Sequence, residues 1–266
     1  MSFVDEFVDW AHFNLFDNEE AVSFLRGRGV STDQCIKHKI GYVVNDFSVN
    51  PESDPKHTDL CSLKEHKGSW CDSCRFVRWS AAWVLTDDQP LRVPIIGRRI
   101  VGHIVLPLTS YAGTILGFQI RSINEKSYDT FMLKERPEGY FFGIGQSIDS
   151  IWSTKTAWIV EGPFDHLILE RLITPNVIAL TTSSPGKTQV NFFRRFCEKL
   201  NVCLDKDKAG TEGFEKILKF NSDILTINKI DFPLPKPGSK DLNDFWKVVG
   251  DDEFRSYFQK KVLPKL

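Results

Sequence analysis

The sequence lacks an excess of charge of either sign. Its 266 residues include 34 lysines and arginines against 35 aspartates and glutamates, for a formal net charge of −1. Many proteins that bind phosphate backbones are strongly basic, so this total gives no reason by itself to expect nucleic acid. Charged residues make up 26% and apolar residues 41% of the chain, which is ordinary for a globular protein and excludes wholesale disorder.

The sequence also lacks a long hydrophobic run. No stretch approaches the roughly 18 consecutive apolar residues of a membrane-spanning helix, so we expect no membrane association. The first six residues, MSFVDE, contain two acids where a secretory signal peptide has basic residues, and we expect a cytoplasmic location. A reducing compartment disfavours disulfides. Three of the six cysteines lie among apolar neighbours, and we interpret them as small core residues: Cys35, Cys197 and Cys203.

The other three cysteines lie close together in a polar insertion at about residues 50–76. The spacing His57-x3-Cys61-x9-Cys71-x2-Cys74 predicts a tetrahedral Zn²⁺ site. His66 is the competing fourth ligand, and His57 is preferred because it leaves a hairpin-length loop between the two ligand pairs. The alternative interpretation is a polar surface insertion whose thiols are incidental.

The N-terminal half of the chain predicts a mixture of helices and strands. Helical periodicity begins the chain, and we interpret its aromatic stripe as core: Phe3, Phe7, Trp10 and Phe13. Asp17 or Asn18 is a candidate N-cap for a second short helix, and Ser31 is a candidate N-cap for a third. From residue 76 to 145 the pattern is typical of strands, with Gly113 in a hairpin turn. The predicted strands are Val101–Leu108, Thr114–Ile120 and Thr130–Leu133.

From about residue 155, short apolar runs alternate with amphipathic helical stretches, which predicts βαβ units and a parallel sheet. The runs are Ala157–Val160, Val177–Leu180, Val202–Leu204 and Ile224–Ile227. The predicted helices are 163–173, 187–200, 211–220 and a last one from near Asp241 to about Val249, followed by peripheral residues. The predicted fold class is α/β, with an α+β subdomain over residues 1–150 and a parallel-sheet α/β subdomain over 151–266.

Acidic residues follow two of these apolar runs. Glu161 and Asp165 come after the first run, and Asp205 and Asp207 after the third. Because the carboxyl ends of parallel strands meet at one edge of a sheet, we expect these four side chains to converge. Convergent carboxylates repel one another unless a hard cation lies between them, and oxygen ligands suit Mg²⁺ or Mn²⁺. The alternative is that each acid merely caps the following helix.

Two motifs carry a resemblance to a known family. The sequences Glu161-Gly-x-x-Asp165 and Asp205-x-Asp207-x-Ala-Gly210 resemble the Toprim domain, which is shared by DnaG-type primases, type IA and II topoisomerases and several nucleases. Residues 24–42 and 104–121 are similar to the segments that precede this domain in DnaG-type primases. The stretch from Lys240 to Phe245 resembles the last acidic motif, with Asn243 in place of its second acid. The resemblance covers most of residues 20–250, and the 45–100 region matches poorly.

The resemblance implies a DNA primase catalytic core that makes short RNA primers on single-stranded DNA from NTPs by two-metal phosphoryl transfer. Its setting would be phage or plasmid replication, with a replicative helicase as a further partner. The divalent metals would be held by Glu161, Asp165, Asp205, Asp207 and Asp241. Of these, the catalytic residues would be Glu161, Asp205 and Asp207, with proton transfer at Glu161. The nucleic-acid or nucleotide-binding residues would be Arg98, Arg99, Arg121 and Lys134, of which Lys134 is only a loose match.

Two other functions share these residues. A Toprim nuclease would use the same carboxylates on a phosphodiester, and a non-catalytic nucleic-acid-binding protein could keep the fold without the chemistry. The sequence Ser184-Pro-Gly-Lys-Thr188 ends like a phosphate-binding loop, but position 181 is Thr where that loop needs Gly, which excludes a nucleotide hydrolase of this kind. The neutral total charge is consistent with all three functions, because acids gathered at a metal site can balance a separate arginine-rich surface.

Overall fold

The structure is a computed structural model that describes residues 3–45, 72–80, 82–86, 89–95, 98–133, 140–182 and 185–266. Within these ranges, no helix is long and apolar enough to cross a membrane. The described residues divide into two compact units. The first draws on the ranges Met1–Phe24, Cys35–Pro107 and Ile115–Arg136, and the second on Leu25–Gln34, Leu108–Thr114 and Pro137–Leu266.

The chain begins with helices, continues through a run of strands, and alternates between helix and strand from Ile144 onward. The helices are α1 (Phe3–Leu15), α2 (Glu19–Gly27), α3 (Thr32–Lys37), α4 (Asp72–Ser80), α5 (Ile144–Thr154), α6 (Pro163–Leu172), α7 (Lys187–Phe192), α8 (Lys208–Asn221) and α9 (Leu242–Tyr257). The strands are β1 (Gly41–Tyr42), β2 (Ala82–Thr86), β3 (Gln89–Ile95), β4 (His103–Thr109), β5 (Ile115–Ser122), β6 (Tyr128–Met132), β7 (Thr156–Val160), β8 (Val177–Ala179), β9 (Lys199–Cys203) and β10 (Thr226–Lys229). This pattern confirms the predicted α/β class.

Two sheets carry the strands of the N-terminal half. One has the order β1-β4-β5-β6, with antiparallel β1–β4 and β5–β6 pairs, and the other is the β2–β3 hairpin. The core of the first unit is aromatic. Phe118 stacks on Phe131 with ring centroids 5.5 Å apart, and Phe76 of α4 meets both rings. Gly113 has a φ of +80° in the turn between β4 and β5, as predicted for that hairpin.

The helix caps predicted for the N-terminal region are present. Asn18 Oδ1 accepts a hydrogen bond from the Ala21 amide at 2.9 Å. Ser31 Oγ accepts from the Gln34 amide at 3.2 Å, while Gln34 Oε1 accepts from the Ser31 amide at 3.3 Å, which forms a capping box at the start of α3. These caps are local, since donor and acceptor are three residues apart, and sequence alone therefore locates them.

The prediction that the whole aromatic stripe of α1 is core was wrong at one position. Phe3 and Phe7 are buried, but Phe13 is 73% exposed. The buried face of α1 continues instead through Ala11 and Leu15. Phe13 follows Phe7 by six residues, a rotation of about 240° around a helix with 3.6 residues per turn, so its side chain lies on the opposite face.

The second unit is built on a parallel sheet with the order β10-β9-β7-β8. Val160 lies opposite both Ala179 of β8 and Cys203 of β9, so the carboxyl ends of the central strands are in register. Ile159 and Val202, on the central strands, belong to one buried core with residues of the surrounding helices. All three cysteines predicted to be core residues are buried.

Three predicted features of the chain were wrong. The helix over 187–200 ends at Phe192, followed by a 3₁₀ turn to Arg195, because Lys199 already begins β9. The region 76–145 is not entirely strands, since α4 reaches Ser80 and α5 begins at Ile144. The C-terminal residues are not peripheral. After a non-helical Gly250 with a φ of +75°, the chain stays helical and buries Phe254 and Phe258 completely.

Candidate metal centre at the carboxyl edge of the parallel sheet

The first two acids of the site follow β7. Glu161 comes directly after the last residue of that strand, and α6 begins two residues later at Pro163, which occupies a helix start that proline favours. Asp165 lies in the first turn of α6 and is only 7% exposed. Its Oδ1 accepts a hydrogen bond from the Asn243 amide at 2.9 Å. The start of α6 and the start of α9 are therefore joined through this carboxylate.

The next two acids follow β9. Asp207 is the N-cap of α8, and its Oδ1 accepts a hydrogen bond from the Gly210 amide at 2.9 Å. Gly210 packs tightly against the preceding loop, because a Cβ atom built there would lie 2.1 Å from the Asp205 carbonyl oxygen. Only glycine allows this close approach, which keeps Asp205 and Asp207 on one short loop. Both acids thus follow β9, on the loop that leads into α8.

The fifth acid, Asp241, is the N-cap of α9. Its Oδ1 accepts from the Asp244 amide at 2.7 Å. The Lys206 amide donates to the Lys240 carbonyl oxygen at 2.8 Å, so the loop after β9 is hydrogen-bonded to the segment before α9. The two interpretations of these acids, as helix caps and as members of one site, therefore do not exclude each other. Asp207 and Asp241 cap helices that begin at the same edge of the sheet.

Lys240 is a member of the site that sequence reasoning missed. Its Nζ lies 2.6 Å from Asp205 Oδ2 and 3.3 Å from Asp207 Oδ2. The hydrogen bond to Asp205 raises the pKa of the Lys240 ammonium above its ordinary value. The available signal was a lysine directly before Asp241, but no local pattern predicts that it reaches across to the loop after β9.

Burial and neighbouring charges shift the pKa values of the acids in this site. Burial, reinforced by the neighbouring charge of Asp205, raises the pKa of Glu161 to about 7. Burial and the charge of Asp241 raise the pKa of Asp165 well above its ordinary value. Burial likewise raises the pKa of Asp205 and Asp241. The exception is Asp207, whose pKa is lowered by the hydrogen bond from the Gly210 amide.

These residues fit a hard divalent cation. Glu161 Oε2 is buried and has no hydrogen-bond partner, an arrangement that is unfavourable for a carboxylate unless a cation completes it. The Lys240 ammonium already lies between two of the other acids, where it compensates part of their mutual repulsion. The donors are all carboxylate oxygens, the type that Mg²⁺ and Mn²⁺ prefer. Glu161, Asp165, Asp205, Asp207 and Asp241 could therefore hold such ions.

Asn243, the departure from the family's acidic motif, contacts Arg28. Its Nδ2 donates to the Arg28 carbonyl oxygen at 2.8 Å, and Arg28 Nη1 donates to its Oδ1 at 3.4 Å. An amide can both donate and accept in this way, whereas a carboxylate can only accept. Asn243 is 1% exposed, so it serves the packing of this segment. Sequence reasoning did not place Arg28 beside the acids, because 215 residues separate the two partners.

The other predicted site residues lie in the first unit or outside the described residues. Arg99 pairs with Asp129 at 2.8 Å and donates to the Trp79 carbonyl oxygen at 3.1 Å. Arg121 is on β5, opposite Tyr128 of β6. The remaining members fall where side chains are not described: Arg98, Lys134, His57, Cys61, Cys71, Cys74 and the alternative ligand His66. The arginine surface and the zinc site stay predictions.

A cavity of about 420 Å³ adjoins the acidic site. Asp205 and Asp207 lie on its wall, together with Phe214 of α8. Three lysines also line it: Lys206, Lys208 and Lys229. The Lys206 ammonium pairs with Asp231, and the Lys229 ammonium lies 5.1 Å from the centroid of the Phe214 ring. Carboxylate, ammonium and aromatic groups therefore line the same cavity.

The acidic site lies within a segment that matches a known protein family. Residues 158–246 match the family described as Toprim-like. This range contains all five acids and Lys240. The two motifs on which the resemblance was based are therefore part of a segment that matches as a whole.

Comparison with known proteins extends the similarity to nearly the whole chain. The DNA primase of Listeria monocytogenes is 22% identical over 260 residues, which cover 94% of this chain and 38% of the relative. The DNA primase of Aquifex aeolicus is 23% identical, over 95% of this chain and 47% of the relative. The chain thus spans less than half the length of these curated relatives.

Solved structures show the same fold. The zinc-binding and RNA polymerase domains of the Aquifex aeolicus primase superpose with a TM-score of 0.71 at 21% identity, over 97% of this chain and 59% of that one. The Escherichia coli primase catalytic core superposes with a TM-score of 0.67 at 17% identity, over 99% of this chain and 84% of that one. The resemblance is confirmed: this chain is similar in sequence and in fold to the catalytic core of DnaG-type DNA primases, with a Toprim-like segment that holds its acidic site.

Proposed function

We propose that this chain is the catalytic part of a DNA primase, which joins ribonucleotides into short primers on a single-stranded DNA template. The observation that carries the proposal is that acids after β7 and β9 and the acid that caps α9 meet at one edge of the parallel sheet, where the Lys240 ammonium contacts Asp205 and Asp207. Similarity to DNA primases over 94% of the chain gives this acidic site its reaction class, since carboxylates alone also suit a nuclease.

The mechanism assigns each acid a task. Glu161, Asp165, Asp205, Asp207 and Asp241 would hold the divalent ions, in keeping with the family's use of two metals. When bound, such ions neutralise a triphosphate, activate the attacking 3′-hydroxyl and stabilise the departing pyrophosphate. Of these acids, Glu161 is the one that the resemblance assigns to proton transfer, and its buried Oε2, which has no hydrogen-bond partner, is free to accept a proton or a cation.

The substrates follow from the surroundings of the acids. The cavity beside Asp205 and Asp207 has three lysines and Phe214 on its walls, groups that attract phosphates and can stack on a base. We propose that this cavity binds part of an incoming NTP. Template binding is assigned to the arginines of the first unit, Arg99 and Arg121, together with Arg98 and Lys134. One matched structure, the DnaG primase catalytic domain bound to ssDNA, supports a single-stranded template at 15% identity and a TM-score of 0.68.

The test is primer synthesis by the full chain. Single-stranded DNA, labelled NTPs and Mg²⁺ or Mn²⁺ are incubated with the wild type, Asp205→Asn and Glu161→Gln. We expect oligoribonucleotides from the wild type and a loss of roughly 100-fold or more in both variants, because several kcal/mol of transition-state stabilisation depends on correctly held metals. Asp252→Asn, on the exposed surface of α9, is the control and should retain wild-type synthesis.

Other outcomes identify the other functions. Cleavage of the template without synthesis, abolished in the same two variants, would replace the primase by a Toprim nuclease. Template binding that is unchanged in the variants, with no chemistry at all, would indicate a non-catalytic nucleic-acid-binding protein. The phage or plasmid setting, the helicase and the zinc site stay predictions from the resemblance and the cysteine spacing.

A further inference from the structure

The Lys240 ammonium makes two contacts that have no part in the proposed reaction. Its ammonium lies between Asp205 and Asp207, at 2.6 and 3.3 Å from their Oδ2 atoms. These oxygens belong to the acids assigned to the divalent ions. A coordinating carboxylate must direct its lone pairs at the metal, and an ammonium within hydrogen-bond distance competes for the same lone pairs and repels the ion.

The backbone carbonyl and the backbone amide of Lys240 are both hydrogen-bonded. Its carbonyl oxygen accepts from the Lys206 amide at 2.8 Å, and its amide donates to Asp244 Oδ2 at 3.2 Å. The side chain is less constrained, because 45% of it is exposed, while the side chain of Asp205 is 9% exposed. The ammonium can therefore leave the acids by rotation of its own flexible stem, without movement of the loop after β9 or of α9.

The remaining charges show why a cation is needed at this place. Asp205 and Asp207 lie on the loop that is hydrogen-bonded to the segment before Asp241, and the Lys240 ammonium contacts two of these three carboxylates. Without a metal, the acids need a counter-charge to remain together and ionised. Lys206, a lysine on the loop after β9 between Asp205 and Asp207, pairs with Asp231 instead.

We propose that Lys240 is a built-in counter-ion of the metal-free site, and that a divalent cation must displace its ammonium from Asp205 and Asp207 in order to bind. Lys240 thereby sets the metal affinity: it stabilises the acidic edge before the metal arrives and weakens metal binding by competition. This inference rests on the metal-binding role in the proposed function. It assigns Lys240 to control of metal binding, separately from any contact with template or nucleotide.

The test is calorimetric titration of Mn²⁺ and Mg²⁺ into the full chain, without DNA or NTP. Lys240→Met removes the charge and keeps the length of the side chain, and Lys240→Arg keeps the charge. We expect Lys240→Met to bind metal roughly tenfold or more tightly than the wild type, because a unit charge a few ångströms from a divalent ion repels it strongly. Lys240→Arg should stay within about threefold of the wild type.

Lys206→Met is the matched control. It removes an equal charge close to the acids, but from a lysine paired with Asp231, so metal affinity should change by less than about threefold. Thermal unfolding gives a second signature. In the presence of a chelator Lys240→Met should melt below the wild type, and its melting temperature should rise more than that of the wild type when metal is added.

A measurement on the wild type alone covers the case in which Lys240→Met does not fold. Amine acetylation followed by peptide mass spectrometry reports whether the ammonium is held by carboxylates. Saturating Mn²⁺ should raise the reactivity of Lys240 several-fold and leave Lys206 unchanged. An unchanged Lys240 in metal-saturated protein would overturn the proposal.

The titration separates this inference from the primase assignment. Metal binding by Lys240→Met that is equal to or weaker than that of a metal-binding wild type would overturn the role of Lys240 and leave the primase open. Tighter binding in Lys240→Met without any primer synthesis by the wild type would support Lys240 and overturn the primase. An absence of metal binding in both proteins would overturn both.

Discussion

Glu161 is a buried carboxylate with one oxygen that lacks a hydrogen-bond partner. Its carboxylate is directed into a site where Oε2 has no hydrogen-bond partner and where three aspartates oppose its charge. Such strain in a buried acid is typical of functional sites, since a purely structural carboxylate would have its lone pairs satisfied. Asp165 contrasts with it at the same site, because one of its oxygens accepts from the Asn243 amide.

The raised pKa of Glu161 predicts a pH dependence of the metal-free protein. A pKa near 7 in the folded state and about 4.5 in the unfolded state means that the folded protein binds more protons between these pH values. The free energy of unfolding should therefore fall as pH rises from about 4.5 to about 7. Asp165, Asp205 and Asp241 contribute in the same direction, because burial raises the pKa of each.

Glu161→Gln tests this sign. Urea unfolding in the presence of a chelator, at several pH values between 5 and 7.5, should show a shallower fall for Glu161→Gln than for the wild type. Glu253→Gln, on the exposed surface of α9, is the control and should reproduce the wild-type slope. Equal slopes for wild type and Glu161→Gln would show that Glu161 ionises normally in the folded protein.

At the scale of elements, the site depends on how closely α8 follows β9. Asp207 caps α8, and Gly210 in its first turn leaves no room for a Cβ atom beside the Asp205 carbonyl group. The connection between β9 and α8 spans residues 204–207 and packs closely against Gly210. This compact connection places Asp205 and Asp207 together, where one lysine contacts both.

Gly210→Ala should disturb both stability and the metal centre. Its methyl group would meet backbone atoms of Asp205, which cannot rotate away, so the loop or the helix must shift. We expect a loss of about 1–3 kcal/mol or more in the free energy of unfolding, together with weaker Mn²⁺ binding. Gly186→Ala at the start of α7 is the matched control, since nothing lies within 4 Å of its added Cβ atom. Equal stability of the two variants would contradict the close approach.

At the scale of the whole molecule, the C-terminal residues complete the core of the second unit. The Phe258 ring stacks on Phe254 with centroids 4.8 Å apart, and it lies 6.1 Å from the Trp158 ring of β7. Arg171 of α6 pairs with Asp251 at 2.5 Å, and Trp246 Nε1 donates to the same carboxylate at 2.7 Å. The residues after Gly250 thus support the strand that leads to Glu161.

Phe258→Ala should destabilise the protein by about 3–5 kcal/mol, because it removes a fully buried aromatic ring and leaves a cavity. Thermal and urea unfolding measure the loss. Leu263→Ala, at an exposed position of the same segment, should change the free energy of unfolding by less than about 0.5 kcal/mol. Similar effects of the two substitutions would show that the segment does not belong to the core.

The sequence alone determined the features that depend on neighbours along the chain. Apolar runs of four to six residues located β7, β8 and β9 to within about three residues, because burial on both faces leaves a direct trace in composition. The Asn18 and Ser31 caps were predicted for the same reason, since a cap is a contact over three residues. The acids were predicted to converge from the general rule that carboxyl ends of parallel strands meet at one edge.

The tertiary structure alone decided which distant side chains meet those acids. Lys240 reaches Asp205 across 35 positions, and Arg28 contacts Asn243 across 215, pairings that no local period encodes. The same holds for Phe258, whose burial depends on what packs against its helix. The physical reason is that backbone hydrogen bonding and hydrophobic periodicity act over a few residues, whereas charge compensation and core packing are settled only when the elements dock. The sequence thus determined that a metal centre was to be expected, and the fold decided that a lysine already lies between two of its acids.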